Sequence, residues 1–367
     1  MVENKMAYQP DYAVPPGWVL EEMLEAHEIS HAEFARRCGR SAKLMSEIIA
    51  GKAPVEPKTA IQFGRVLGMD ASVWLNLEAN YRLHRAKEAE AARLEEATEW
   101  AEKFPFKALI NFGVFEKPVN AAQLVGQLLS FFGVAGVDAW KRRYASAAVS
   151  YRHSPAFESS QEALTTWLRL GELAADQQDC PDYDRWKFLE ALEKIRSLTV
   201  LRAEEFLPRM RKICNESGVA FVVIRPLPKT ALSGAARWLT PRKALIQQSL
   251  RFRSNDHFWF TFFHEAAHIV LHSKKDVFVD EKAWDGTELE DEANTWAANF
   301  LVPKHDWEQF VSENPRSENT IRAFSEKQKI APGIIVGMLQ HRGILPWKTL
   351  NKLKDRYKWT EPQGQNR

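Results

Sequence analysis

Cysteine is scarce in this chain: Cys38, Cys180 and Cys214 are the only three among 367 residues. They are too few and too far apart for a disulfide framework or a cysteine-based zinc finger, which favours a reducing compartment. No run of about 18 uninterrupted apolar residues occurs, which argues against a membrane-spanning helix. Met1 to Pro16 does not pair a basic segment with an apolar one, so no secretory signal is expected and a cytoplasmic location follows. The formal net charge of +2 excludes no partner until it is resolved along the chain. Acidic residues are missing between Arg225 and Arg253, and tyrosine is missing between Tyr183 and Tyr357.

The length of 367 residues calls for two or three domains. Within a first domain over 1–85, residues 15–85 read as short, punctuated helices. Pro15-Pro16-Gly17 opens the first, with Trp18, Val19, Met23 and Leu24 expected on one face. Ser30 caps a helix over Ala32 to Cys38, with Glu33 completing a capping box, and Gly39 ends it. Ser41 caps Lys43 to Ala50, Pro57 opens the next helix, and Asp70 caps one running through Trp74 to Tyr81. From Glu78 to Lys103 the composition of Ala, Glu, Arg and Lys predicts an exposed helix, with 86–103 as connector. Residues 104–215 read as a helical middle region rich in Trp and Leu.

Composition then shifts. Val219 to Ile224, Ala236 to Leu239 and Ala244 to Gln248 read as three strands, the last two joined by a turn at Thr240-Pro241-Arg242. Leu289 to Leu301 returns to helix, Ile321 to Ile344 gives two more, and 351–367 is a polar tail, disordered from about Thr360. The expected fold class is α+β, mostly α. It comprises an N-terminal helix–turn–helix bundle, a central helical block, and a domain over 216–350 with a small sheet.

The Ser30–Cys38 helix, the Gly39 turn and the Ser41–Ala50 helix form a helix–turn–helix candidate, whose second helix would enter a major groove. Ser41, Ala42, Lys43 and Ser46 are placed toward base edges, with Arg40 and Lys52 on phosphates. Basic residues outnumber acidic ones seven to two between Arg36 and Arg65, the imbalance expected of a face that meets a polyanion. The plainer reading is a small helical bundle with ordinary turns.

Residues 264–268 read His264-Glu265-Ala266-Ala267-His268, inside an apolar run from Phe258 to Leu271. Two imidazoles four apart share one helix face and can grip one cation, with Glu265 beside it to act on a bound water. Burying two His and a Glu without partners would cost several kcal/mol, a cost that a metal removes. Catalytic zinc takes three protein ligands and keeps a place for water. Glu292 is the expected third ligand, with Glu288 and Glu290 as rivals. Zn2+ is the expected cofactor, and Mn2+ or Fe2+ also suit such a donor set. His272 is read as an outer residue and His257 as a loop residue, although His257 or Arg253 is a candidate to stabilise an oxyanion. Seven basic residues (Arg225, Lys229, Arg237, Arg242, Lys243, Arg251, Arg253) form either a rim for an acidic peptide or DNA, or one solvated sheet face.

Residues 15–85 resemble the XRE-type helix–turn–helix of HigA-like antitoxins. The likeness rests on Pro16-Gly17, Ser30 to Ala35, Ser46 to Lys52 and Trp74-Leu75-Asn76-Leu77. Residues 219–345 resemble the ImmA/IrrE metallopeptidase family, through Trp259 to His268, Leu271-His272 and Glu290 to Pro303. Ala267 and Trp296 stand where that family usually has Gly and Phe. The resemblance implies a zincin-like domain with Glu265 as general base and Glu292 at the third-ligand position. It also implies a homodimer on operator DNA, with a cognate toxin or a repressor-protein substrate as further partner and no membrane role. The expected function is a transcriptional regulator with a zinc-dependent endopeptidase domain for regulated proteolysis. The alternative is a non-enzymatic antitoxin or sensor whose metal or ligand site modulates operator binding.

Overall fold

Side-chain caps and single glycines punctuate the first helices. The computed structural model describes residues 13–144, 160–230, 232–272, 278–281 and 288–359. The expected disordered end from Thr360 lies outside the described residues. Helices α1 (Pro16–Ala26), α2 (His31–Arg37), α3 (Ala42–Ile49), α4 (Pro57–Leu67) and α5 (Ala71–Glu95) follow one another. The Ser30 hydroxyl accepts from the Glu33 N–H and the Ser41 hydroxyl from the Leu44 N–H, as helix starts require. The capping box is not closed, because the Glu33 carboxylate is held by Arg36 and Arg37. Gly68 ends α4 in the left-handed region, at φ 79°.

Phe34, Phe63 and Trp74 make the centre of this bundle, with ring centroids 5.0 and 5.3 Å apart along the series. Leu20 and Leu24, rather than Trp18, are the residues that α1 buries, and Trp18 is exposed. Gly17 is required by packing: a Cβ there would lie 2.4 Å from the carbonyl oxygen of Ile49. Only the first part of the expected connector continues α5, which runs unbroken to Glu95. Glu78 is buried on α5 and accepts from the Val55 N–H at 3.0 Å, which fixes the loop after α3.

Contacts divide the chain into two compact units, one of residues 1–98 and 118–126, the other of 99–117 and 127–367. Next come α6 (Thr98–Ala101), α7 (Phe106–Asn111), α8 (Ala121–Phe132) and α9 (Val137–Arg143), which group with the second unit except for Thr98 and the first part of α8. The apolar segment 121–143 is two helices rather than one, separated at Gly133, whose φ is 63°. Trp100, Phe104, Phe132 and Trp140 form an aromatic cluster with centroids 4.8 to 5.9 Å apart.

Three helices, α10 (Gln161–Asp176), α11 (Arg185–Ser197) and α12 (Ala203–Asn215), lead into the sheet strands β1 (Val219–Val223), β2 (Leu232–Thr240) and β3 (Lys243–Gln248). A fourth strand, β4 (Phe278–Glu281), lies in the acidic stretch, where none was expected. The sheet order is β1-β3-β2-β4, with β1 parallel to β3 and the other pairs antiparallel. Both faces are covered, so β1 is apolar throughout rather than alternating. Ala220, Val222 and Leu245 pack with Ala175 of α10, while Val219, Phe221 and Ile246 join the main core.

That core is built around α13 (Asn255–Leu271), the helix bearing the His264–His268 motif, which is buried along nearly its whole length. Phe258, Trp259, Phe262 and Phe263 pack it on all sides, as the unbroken apolar run required. Next come α14 (Glu288–Leu301), α15 (Lys304–Ser312), α16 (Glu318–Gln328) and α17 (Pro332–His341). The segment after α17 returns to the start of α13. Lys354 Nζ is 2.5 Å from Asp256 Oδ2, and Asn255 donates to Asp355 at 3.1 Å.

The expected basic rim is not a single face. Arg237 is buried, with its guanidinium 3.3 Å from Glu172 Oε1, and Lys243 donates to the carbonyls of Ala175 and Gln178. A charged side chain on a strand covered from both sides must turn to a partner inside.

Candidate metal centre and nucleic-acid interface

Helical spacing puts His264 and His268 one turn apart on α13, and their Nε2 atoms lie 3.0 Å from one another. The carboxylate that meets them is Glu290, with Oε2 3.1 Å from His264 Nε2 and Oε1 3.5 Å from His268 Nε2. One donor atom from each of these residues falls within 4.8 Å of the other two. Glu292 is therefore not placed as the expected third ligand. Its carboxylate is half exposed and lies 3.2 Å from His272 Nε2.

The reason is angular. Residues two apart on a helix point about 200° from one another, so Glu290 and Glu292 cannot both face the imidazole pair. The buried stripe of α14 is Ala293, Ala297 and Leu301, and extending it back at helical spacing reaches Glu290. A stripe drawn through Ala293, Trp296, Ala297 and Phe300 hid this, because Trp296 and Phe300 are only partly buried.

Each imidazole is oriented through its other nitrogen. His264 Nδ1 lies 2.9 Å from Asn294 Oδ1, so the ring donates from Nδ1 and turns the Nε2 lone pair inward. His268 Nδ1 lies 2.8 Å from His272 Nδ1, and His272 Nε2 in turn donates to Glu292. With that proton on His272 Nε2, its Nδ1 is the acceptor and His268 donates. His268 Nε2 then also faces inward as a lone pair. Two lone pairs and a carboxylate converging at about 3 Å repel one another unless a cation lies among them. The donor set thus fits a divalent metal, and the partners behind it are of the kind that orient metal-binding histidines.

Burial pushes His268 down to about 4, against the opposing pull of the neighbouring Glu290 carboxylate, so the ring is neutral as a ligand requires. Glu265 is fully buried beside the pair and lies against Gly234 of β2. A Cβ at Gly234 would come within 2.5 Å of Glu265 Oε1 and 2.8 Å of Thr261 Cγ2. Sequence reasoning missed this glycine. An isolated glycine inside a strand, which marks close approach of another group, was the available signal.

His257 lies on α13 rather than in a loop, with its ring stacked on Phe252 at 4.2 Å. Arg253 sits just before α13 in the left-handed region, at φ 54°. In the helical bundle, Ser41, Ala42, Lys43 and Ser46 are all exposed on the first turns of α3, and Lys52 is exposed after it. Arg40 differs, since its Nε donates to Gln62 at 2.6 Å and the side chain is partly buried.

Residues 222–330 match the IrrE N-terminal-like domain of the M78 peptidases, a span that contains His264, Glu265, His268 and Glu290. The N-terminal region is similar to the HTH-type transcriptional regulator YddM of Escherichia coli strain K12, at 34% identity over 91 residues. That match covers 24% of this chain and 93% of YddM. Among solved structures, antitoxin HigA of Pseudomonas aeruginosa with the higBA promoter is 30% identical, covering 23% of this chain and 94% of that one, with a TM-score of 0.22. An addiction module antidote protein of the HigA family from Coxiella burnetii is 23% identical, covering 23% of this chain and 91% of that one, with a TM-score of 0.21.

Proposed function

From its membership of the HTH-type transcriptional regulators, the family to which this chain belongs, and from its IrrE-like domain, we propose an operator-binding regulator with a zinc-dependent peptidase centre. It would act in the cytoplasm as an antitoxin-like homodimer, with a cognate toxin or a repressor protein as its further partner. The observation that carries the enzymatic half is the convergence of His264, His268 and Glu290 next to a buried Glu265. His264, His268 and Glu290 would hold the metal, which Asn294 and His272 support from behind.

A zinc ion so held supplies an acidified water and polarises a carbonyl. Glu265 would take the proton from that water and pass it to the leaving amine, the task of a carboxylate one residue from a ligand. Gly234 leaves room for this carboxylate between β2 and α13. At the other end, α3 would lie in a major groove with Ser41, Ala42, Lys43 and Ser46 toward the bases and Lys52 toward phosphate. Arg40, held by Gln62, would shape the turn rather than reach DNA.

A second reading, in which the centre binds metal and biases operator binding without hydrolysis, is favoured by the full burial of Glu265 and the near-complete burial of both imidazoles. Glu265→Gln separates the two. On the enzymatic reading the variant keeps its metal and loses cleavage of the protein partner co-expressed with it. Metal-loaded wild type that leaves every such partner intact, while chelation shifts operator affinity, favours the second reading.

A further inference from the structure

One turn before His264, along the same face of α13, a cavity of about 250 Å³ opens between α13, α14, α15 and α17. It contains none of the three residues of the metal centre. Phe260, Trp307, Ile334 and Met338 give it an apolar and aromatic lining, with the exposed Trp347 at its edge. Its volume falls just below the range of drug-sized sites, which begins at about 300 Å³, so it suits a smaller molecule.

The charges around it do not cancel. Asp256 lines the cavity, but its carboxylate is neutralised by Lys354, with both side chains nearly buried. Arg342 stands at the rim with its guanidinium over the Trp307 ring at 5.7 Å. It makes no ion pair among the described residues. An apolar slot ending in one uncompensated guanidinium suits a ligand with an apolar ring and a single carboxylate, because Arg binds carboxylates through a planar fork.

Two lining residues also touch the metal centre. Asn294 lines the cavity and accepts from His264 Nδ1 at 2.9 Å. Phe260 lines it and lies nearly parallel to the His264 ring, with centroids 6.4 Å apart. A ligand seated there would press on the two side chains that set the angle of His264.

We propose that this cavity binds a small aromatic monocarboxylate, with Arg342 holding the carboxylate, and that its occupancy is felt at His264 through Asn294 and Phe260. The second half rests on the metal-centre reading, whereas the first does not. Occupancy and metal binding are then linked, so each changes the affinity of the other by the same factor.

The test is calorimetric titration of full-length, metal-free protein with 4-phenylbutyrate and with its uncharged amide. The acid is expected to bind at least tenfold more tightly than the amide. Arg342→Gln, an exposed change, should bring the two to within about twofold. Thr295→Trp, which plugs the cavity from its exposed rim, should abolish binding without lowering the melting temperature. Saturating 4-phenylbutyrate should then shift the zinc dissociation constant by about fivefold or more.

Absence of binding at millimolar probe, equal binding of acid and amide, or an unchanged preference in Arg342→Gln overturns the site. Tight zinc binding that ignores a saturating probe overturns the coupling alone. Probe binding in a protein that takes up no zinc overturns the metal-centre reading and leaves the cavity site standing.

Discussion

The Nδ1 atoms of His268 and His272 lie 2.8 Å apart, and this contact makes His268 the end of a relay that starts at Glu292. The relay fixes which nitrogen of His268 carries the proton. His272→Ala should therefore weaken zinc binding by about 10- to 100-fold with little change in fold, as loss of an orienting partner does. Competition against a chromophoric chelator measures this. An affinity within twofold of wild type would remove His272 from the centre.

Gly234 and Glu265 make a second test. Gly234→Ala puts a methyl group where Glu265 Oε1 and Thr261 Cγ2 now lie. The variant should lose about 1–3 kcal/mol of stability through overpacking. It should also lose peptide hydrolysis while keeping a full equivalent of metal. Chemical denaturation, metal analysis and a cleavage assay check the three parts. Retained hydrolysis would show that Glu265 needs no such room.

Arg237 gives a prediction about stability alone. It is buried against Glu172, which Arg169 also contacts at 2.7 Å. Burial works against the charge of Arg237, and Glu172 supports it. Arg237→Ala removes one partner and leaves a largely buried carboxylate short of charge, which should cost about 3–5 kcal/mol. Arg237→Met with Glu172→Leu should be far milder than the single change. Urea unfolding of the two variants decides this, and an equally destabilised double variant would contradict it.

The DNA-facing half is tested by salt dependence. Lys52→Ala should weaken binding to specific and random duplexes alike and lower the slope of log affinity against log salt by about one. Lys43→Ala combined with Ser46→Ala should instead reduce the preference for the operator. Fluorescence anisotropy at several salt concentrations separates these effects. Unchanged discrimination in the double variant would move the reading face away from α3.

The helix–turn–helix was legible in the chain because its signals are local. Ser30 and Ser41 cap their own helices, and Gly39 and Gly51 break them at fixed offsets. The motif at His264 was legible for the same reason, and the apolar residues around it foretold its burial. What escaped detection depends on partners distant in sequence. Strand β4 exists by pairing with β2, and its own residues, Phe278 to Glu281, carry half charged side chains. Arg237 looked like part of a basic face because Glu172, its partner, lies 65 residues earlier. The choice between Glu290 and Glu292 turned on which stripe of α14 is buried, and Trp296 drew it in the wrong direction.

Metal content of three purified proteins tests the central claim most directly: wild type, Glu290→Gln and Glu292→Gln, each grown with ample zinc. Wild type and Glu292→Gln should each hold close to one equivalent, the latter more loosely because its relay is weakened. Glu290→Gln, with only two imidazoles left, should hold less than a tenth of an equivalent after dialysis. A Glu290→Gln protein that keeps its full equivalent, or a wild type that holds none, would contradict the account.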